Sequence, residues 1–169
     1  MKWMQGPKMA VVWTIFRIWL GIQWIEGGWE KISGGGFDAS GFMQGAIGNA
    51  TGDHPAVQAW YAAFLENVAL PNAGLFSFLV QWGELLVGIG LIVGVATIPA
   101  LLAGAFMNLN FLLAGTTSTN PILFTVAVIL LAAGSASYYY GGDRFLVPYI
   151  KERFGKKVAK ETAEGNATV

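Results

Sequence analysis

Between Lys31 and Arg144 the chain carries no lysine or arginine, and most of that interval is apolar. Four segments, about 9–32, 73–96, 98–115 and 121–140, approach or exceed the ~20 helical residues that cross a bilayer core of ~30 Å. Over the 169 residues, 54% are hydrophobic and 12% charged. The mean hydropathy is +0.53, and a soluble domain would carry roughly 25% charge. The pattern predicts an all-α protein, an integral membrane four-helix bundle with spans joined up and down by short turns. A turn is expected around Pro99, and a short polar loop from Gly115 to Asn120.

Basic residues flank the spans unevenly. Lys2 and Lys8 precede the first, and Arg144, Lys151, Arg153, Lys156, Lys157 and Lys160 follow the fourth. Positive charge marks the cytoplasmic side, and an even number of spans returns both termini to it. The expected location is the inner membrane of a prokaryote, multi-pass, with both termini cytoplasmic. The first apolar run is too long for a signal-peptide core and reads as a retained span. Segment 33–72, which contains Asp38, Asp53 and Glu66 and no basic residue, then lies outside. Ser33-Gly-Gly-Gly reads as a flexible exit, and Asp53-His54-Pro55 resembles a helix start. Val57, Trp60, Tyr61, Phe64, Leu65 and Val68 recur at helical spacing before Leu70-Pro71-Asn72, which predicts an interfacial amphipathic helix. The membrane domain is thus 1–142. Residues 143–169 form an interfacial stretch and a charged cytoplasmic tail.

With no cysteine and a single histidine, disulfides, thiol redox chemistry, iron–sulfur ligation and bis-histidine haem are excluded. No metal, haem or flavin motif is evident, so a redox role would need a diffusible cofactor or a partner's centre. No basic patch offers a footprint for nucleic acid.

Arg17 and Glu84 lie deep inside apolar runs, where an ionised side chain costs a few kcal/mol and is normally turned inward and paired. Arg17, Gly21, Trp24, Gly28 and Lys31 share one helical stripe, with Arg17 and Lys31 about 21 Å apart along it. Gln23, Glu26 and Glu30 fall roughly opposite, and Glu30 beside Lys31 reads as a solvated pair. In the second span Gln81, Glu84 and Gly88 project to one side. Counting along antiparallel helices brings Glu84 to the depth of Arg17. That predicts an Arg17–Glu84 ion pair, either a structural clasp or a site handling protons or an anionic ligand.

Asn108 and Asn110 must point to nearly opposite sides of the third span, one joining helices and the other facing a cavity. Phe106, Met107 and Phe111 are core packing or the wall of a flat slot. Trp24 and Trp82 are deep enough to line a ligand site, whereas Trp13, Trp29 and Trp60 suit an aromatic belt. His54 is a surface or capping residue, or a proton donor at the outer face.

Several of these motifs occur together in one family. Arg17-x3-Gly21-x6-Gly28-x2-Lys31, Gly83-Glu84-Leu-Leu-Val-Gly88, Asn108-Leu-Asn110 through Gly115 to Asn120-Pro121, and Gly142-Asp143-Arg144 resemble the DoxX/DoxD family. Gly41-Phe-Met-Gln-Gly45 and His54-Pro55-Ala-Val are most similar to the DoxD-type membrane subunit of thiosulfate:quinone oxidoreductase. The resemblance implies electron transfer from thiosulfate to membrane quinone, with tetrathionate as product and often a second, smaller redox subunit. A quinone needs a flat apolar slot with polar groups at its carbonyls. Trp24, Trp82, Phe106, Phe111, Asn108, Glu84 and Arg17 are candidates for it, with Asn110 beside them, and Lys31 and His54 are the outer-face groups for an anion. The residues also admit a non-catalytic membrane anchor or assembly module for a redox partner, a small transporter for an anion or sulfur species, and a homodimer built on glycine-lined faces.

Overall fold

The computed structural model describes residues 2–153, and within them every regular element is helical. The charged end expected over 154–169, with Lys156, Lys157 and Lys160, lies outside the described residues. The long elements are α1 (Pro7–Ser33), α4 (Ala73–Val93), α5 (Thr97–Leu113) and α6 (Asn120–Ala133). Between α1 and α4 lie α2 (Ala39–Gly48) and α3 (Ala59–Phe64), and α7 covers 143–153.

Pro7 starts α1, where a missing amide donor costs nothing, and Gly34, Gly35 and Gly36 end it, the last two at φ of +97° and +101°. Gly94 closes α4 at φ +71°, its amide bonding to the Gly90 carbonyl, and Ala96 also takes a left-handed conformation at φ +51°. The turn expected over Gly-Val-Ala-Thr-Ile-Pro is present and occupies the start of that stretch, Gly94–Ala96. Pro99 falls in the first turn of α5, where its lack of an N–H is harmless.

α1 packs on α4, α4 on α5, α5 on α6, and α6 back on α1. Leu20, Trp24, Leu91, Leu101, Leu130 and Ala133 form the core between them. The outward faces are also apolar: Ile15 and Ile22 on α1, Leu75 and Leu86 on α4, Leu102 and Phe106 on α5, and Ile122 and Val128 on α6 are all exposed. A water-facing surface does not carry apolar cover of this extent. By length and composition the helical path Ala59–Val93 and the stretch Asn120–Tyr138 can each cross a membrane, and α5 is slightly shorter.

The segment before α4 differs from expectation in three ways. α2 is a helix where only a loop is expected, capped by Asp38, whose side chain accepts from the Ser40 amide. Asp53 and His54 cap nothing; α3 begins at Ala59 after Gln58. The helix does not stop at Leu70 either. A π-helical turn over Leu65–Ala69 and a tight turn over Leu70–Asn72 carry it into α4, the wider turn accommodating the proline that follows. Of the apolar stripe there, Val57, Tyr61 and Leu65 are buried against α2 and Ala114, while Trp60, Phe64 and Val68 stay outside.

Trp13 is likewise no belt residue. It is buried and donates to the Met4 carbonyl at 2.8 Å, which folds the N-terminal turn onto α1.

Candidate functional site

Glycines set how α1 and α4 meet. A Cβ on Gly21 would lie 2.9 Å from the Gly88 carbonyl oxygen, and one on Gly28 would lie 2.9 Å from the Leu85 amide nitrogen. The backbones thus touch directly, as small residues allow between apolar helices. This contact fixes the register: Gly27 and Gly28 stand beside Glu84, and Arg17 stands beside Gly94. Glu84 and Arg17 are consequently about ten residues apart along α4, ~15 Å at 1.5 Å per residue.

The expected Arg17–Glu84 pair is therefore not formed. Lys31 takes the place of Arg17, its Nζ donating to Glu84 Oε2 at 2.8 Å and reaching the Gly27 carbonyl at 3.3 Å. Lys31 is spent on Glu84, so the expected Glu30–Lys31 surface pair gives way too. Glu30 is exposed, and Glu26 faces out and accepts from Gln23 at 3.1 Å.

Arg17 belongs to a second cluster at the other end of the bundle. It is 1% exposed, and its Nη2 donates to the Tyr140 carbonyl at 2.9 Å. Nη1 lies against Gly94 and Gly141, where no side chain would fit, and the buried Asp143 supplies the nearby negative charge. Asp143 in turn accepts the Ala96 and Thr97 amides at 2.9 and 2.6 Å, capping α5 from a distant part of the chain. The cluster ties α1, the α4–α5 turn and the start of α7 together.

Two cavities lie at the Lys31 end. One, about 200 Å³, is almost wholly apolar and is walled by Phe37, Phe42, Met43, Tyr61, Phe76, Met107 and Phe111. The other, about 240 Å³, holds Lys31 and Glu84 together with Gln23, Trp24, Thr116 and Asn120. Phe37, Phe42 and Phe111 line both, so an aromatic wall separates an apolar slot from a polar chamber. Phe42 and Phe111 meet edge to face, ring centroids 6.0 Å apart, and Lys31 Nζ sits 5.6 Å from the Phe37 ring centre.

The structure brings Lys31, Glu84, Trp24 and Phe111 to the polar chamber, and Phe106, Asn110 and again Phe111 to the apolar slot. Asn110 Oδ1 accepts the Tyr61 hydroxyl at 3.1 Å. Asn108 is fully buried on the other side of α5, where its amide has no hydrogen-bond partner. Besides Asn108, three candidates stand apart from both cavities. Arg17 is in its own cluster, Trp82 is 42% exposed and touches Phe78 on the outward face of α4, and His54 is exposed in the loop before α3.

Sequence reasoning missed Phe37, Phe42 and Met43 as site walls because it missed α2, and Tyr61 because its helix is expected to lie on the membrane face. A signal for α2 was present in Asp38 two residues before Ser40 and in the apolar spacing of Phe42, Met43, Ala46 and Ile47. Asp143 stands within the Gly142-Asp143-Arg144 motif, but its capping role is hidden in the sequence because its amide partners lie 46 and 47 residues away.

No curated protein and no solved structure matches the sequence. The DoxX family model matches residues 12–117, a stretch holding most of α1 and all of α2 to α5, the cavities' shared aromatic wall and the Lys31–Glu84 pair, and the chain belongs to the DoxX family.

Proposed function

We propose that α1, α4, α5 and α6 span the membrane and that the chain is the quinone-binding membrane subunit of a thiosulfate:quinone oxidoreductase-type system. In such a reaction two thiosulfate ions join through a new S–S bond as tetrathionate and release two electrons. The quinone takes up those electrons with two protons and becomes quinol. The observation that carries the proposal is the apolar slot sharing its aromatic wall with a chamber that contains a buried ion pair. A quinone ring suits flat aromatic walls, and its carbonyls need a donor close by. Lys31, on the chamber side of the shared wall, is such a donor.

On the polar chamber the cation is Lys31, and Glu84 neutralises it. A dianion such as thiosulfate gains little there, which supports a partner chain as the place of thiosulfate oxidation. The same fact favours a second reading, a membrane module that anchors such a partner without binding quinone itself.

The test is reduction of a short-tailed benzoquinone by thiosulfate in membranes carrying the full chain. Loss of quinone binding on widening or filling the slot, for example by Met107→Trp, supports the proposal. Normal reduction after the slot is filled would sink it. Thiosulfate uptake into proteoliposomes without quinone reduction would indicate an anion transporter instead.

A further inference from the structure

The polar chamber has a gradient of exposure. Ser118 and Thr119 at its rim are exposed, Thr116, Asn120 and Gln23 are intermediate, Lys31 is 26% exposed and Glu84 is 3% exposed at its inner end. Its volume of about 240 Å³ has room for several waters at ~30 Å³ each, and hydroxyls, amides and the ion pair give such waters partners. Trp24, also on the lining, has an indole N–H with no protein partner. The inner end stops at Phe37, Phe42 and Phe111, the wall of the apolar slot.

We propose that this chamber is the proton entrance of the quinone site, with Glu84 handing protons toward the slot and Lys31 recharging it from chamber water. The inference rests on the quinone reading above. The proton on Lys31 Nζ nearest Glu84 crosses the 2.8 Å hydrogen bond to Oε2, breaking an N–H bond and forming an O–H bond. With the quinone head reaching from the slot past Phe37, Phe42 and Phe111 into the chamber, Glu84 releases that proton to a quinone oxygen, and chamber water at the exposed side of Lys31, itself resupplied with protons from outside, restores the ammonium. Two such transfers, matched by the two electrons from thiosulfate, complete one quinol. Protons therefore enter from the side of the bundle that carries the 116–120 loop, not from the Arg17 side. Toward the Lys31 end the other titratable groups are Glu26 and Glu30 on α1 and Asp38 before α2, all exposed, and Tyr61 of α3, which lines the slot and bonds to Asn110. α5 carries no titratable side chain.

The test separates binding from turnover in the full chain reconstituted in vesicles. Binding of a short-tailed benzoquinone is followed there by tryptophan fluorescence quenching, and quinol formation with thiosulfate is followed in native membranes that carry the full chain together with its thiosulfate-oxidising partner. For Glu84→Gln the expected result is binding within about two-fold of wild type and quinol formation slowed roughly a hundred-fold, the scale of a lost proton-transfer group. Glu84→Asp, which keeps a carboxyl, should recover part of the rate. Equal rates for wild type and Glu84→Gln across acid and alkaline pH would overturn the proton route and leave the slot standing. A wild-type protein that neither binds nor reduces the quinone would overturn the slot reading and the route together. Should Glu84→Gln fail to fold, infrared difference spectra of the wild type decide: a carboxyl signal on quinone reduction supports the route, and none overturns it.

Discussion

Lys31 and Glu84 meet at 2.8 Å, yet one is 26% exposed and the other 3% exposed. The pair joins the end of α1 to the middle of α4, across helices already held together by Gly21, Gly28 and Gly88. Its two members are not equivalent. Lys31 can turn its ammonium toward water if its partner is lost, and Glu84 cannot.

Removing Lys31 should therefore cost more than removing the charge on Glu84. We expect Lys31→Met to destabilise by about 3–5 kcal/mol, the cost of leaving a buried charge unpaired, unless Glu84 takes up a proton. Glu84→Gln should cost less than half as much. Thermal unfolding in detergent measures both, and equal losses would show that the carboxylate is not the demanding partner.

The glycines offer a comparison within one molecule. Gly21→Ala and Gly88→Ala each place a methyl against the facing backbone and should cost about 1–3 kcal/mol. Gly41, Gly45 and Gly48 on α2 have open space around them, so Gly45→Ala should instead stabilise by about 0.5–1 kcal/mol. Unfolding midpoints that ran the other way would refute the close α1–α4 approach.

Asp143 is buried and bonds the Ala96 and Thr97 amides. Asp143→Ala should cost about 2–3 kcal/mol, combining a lost helix cap with two stranded donors and an uncompensated Arg17. A double-mutant cycle with Arg17→Leu should show coupling of at least about 1 kcal/mol. Strict additivity would mean that the two charges do not sense each other.

At the opposite end, Asp38 caps α2. Hydrogen bonds from the Ser40 hydroxyl, and then from its backbone amide, hold the carboxyl below the usual carboxylate range. A folded-state value below the unfolded one gives stability that is present above the unfolded pKa and lost as pH falls through the folded one. Protection of α2 amides from hydrogen exchange should decline below about pH 4 in the wild type. In Asp38→Asn that decline should be absent.

The sequence by itself determined the four long apolar helices and roughly where they begin, and which polar residues are costly enough to be turned inward. These are local properties: apolar spacing, proline and glycine at helix ends, and the interval from Ile32 to Asp143 without lysine or arginine. The Arg17, Gly21, Trp24, Gly28, Lys31 stripe was legible for the same reason. Of its members Arg17, Gly21, Trp24 and Gly28 are buried and Lys31 is partly so.

Partners were decided elsewhere. Which residue faces Glu84 depends on how far α4 slides along α1, and that depends on backbone contacts between glycines remote in sequence. A shift of one or two turns leaves every helical pattern intact and changes every ion pair. The slot needed still more of the tertiary structure, because Phe37, Phe42, Tyr61 and Phe111 come from different elements that meet only when α2 and α3 fold back beside α4 and α5. Helical periodicity fixes which side of a helix a residue is on, and packing alone fixes what stands opposite it.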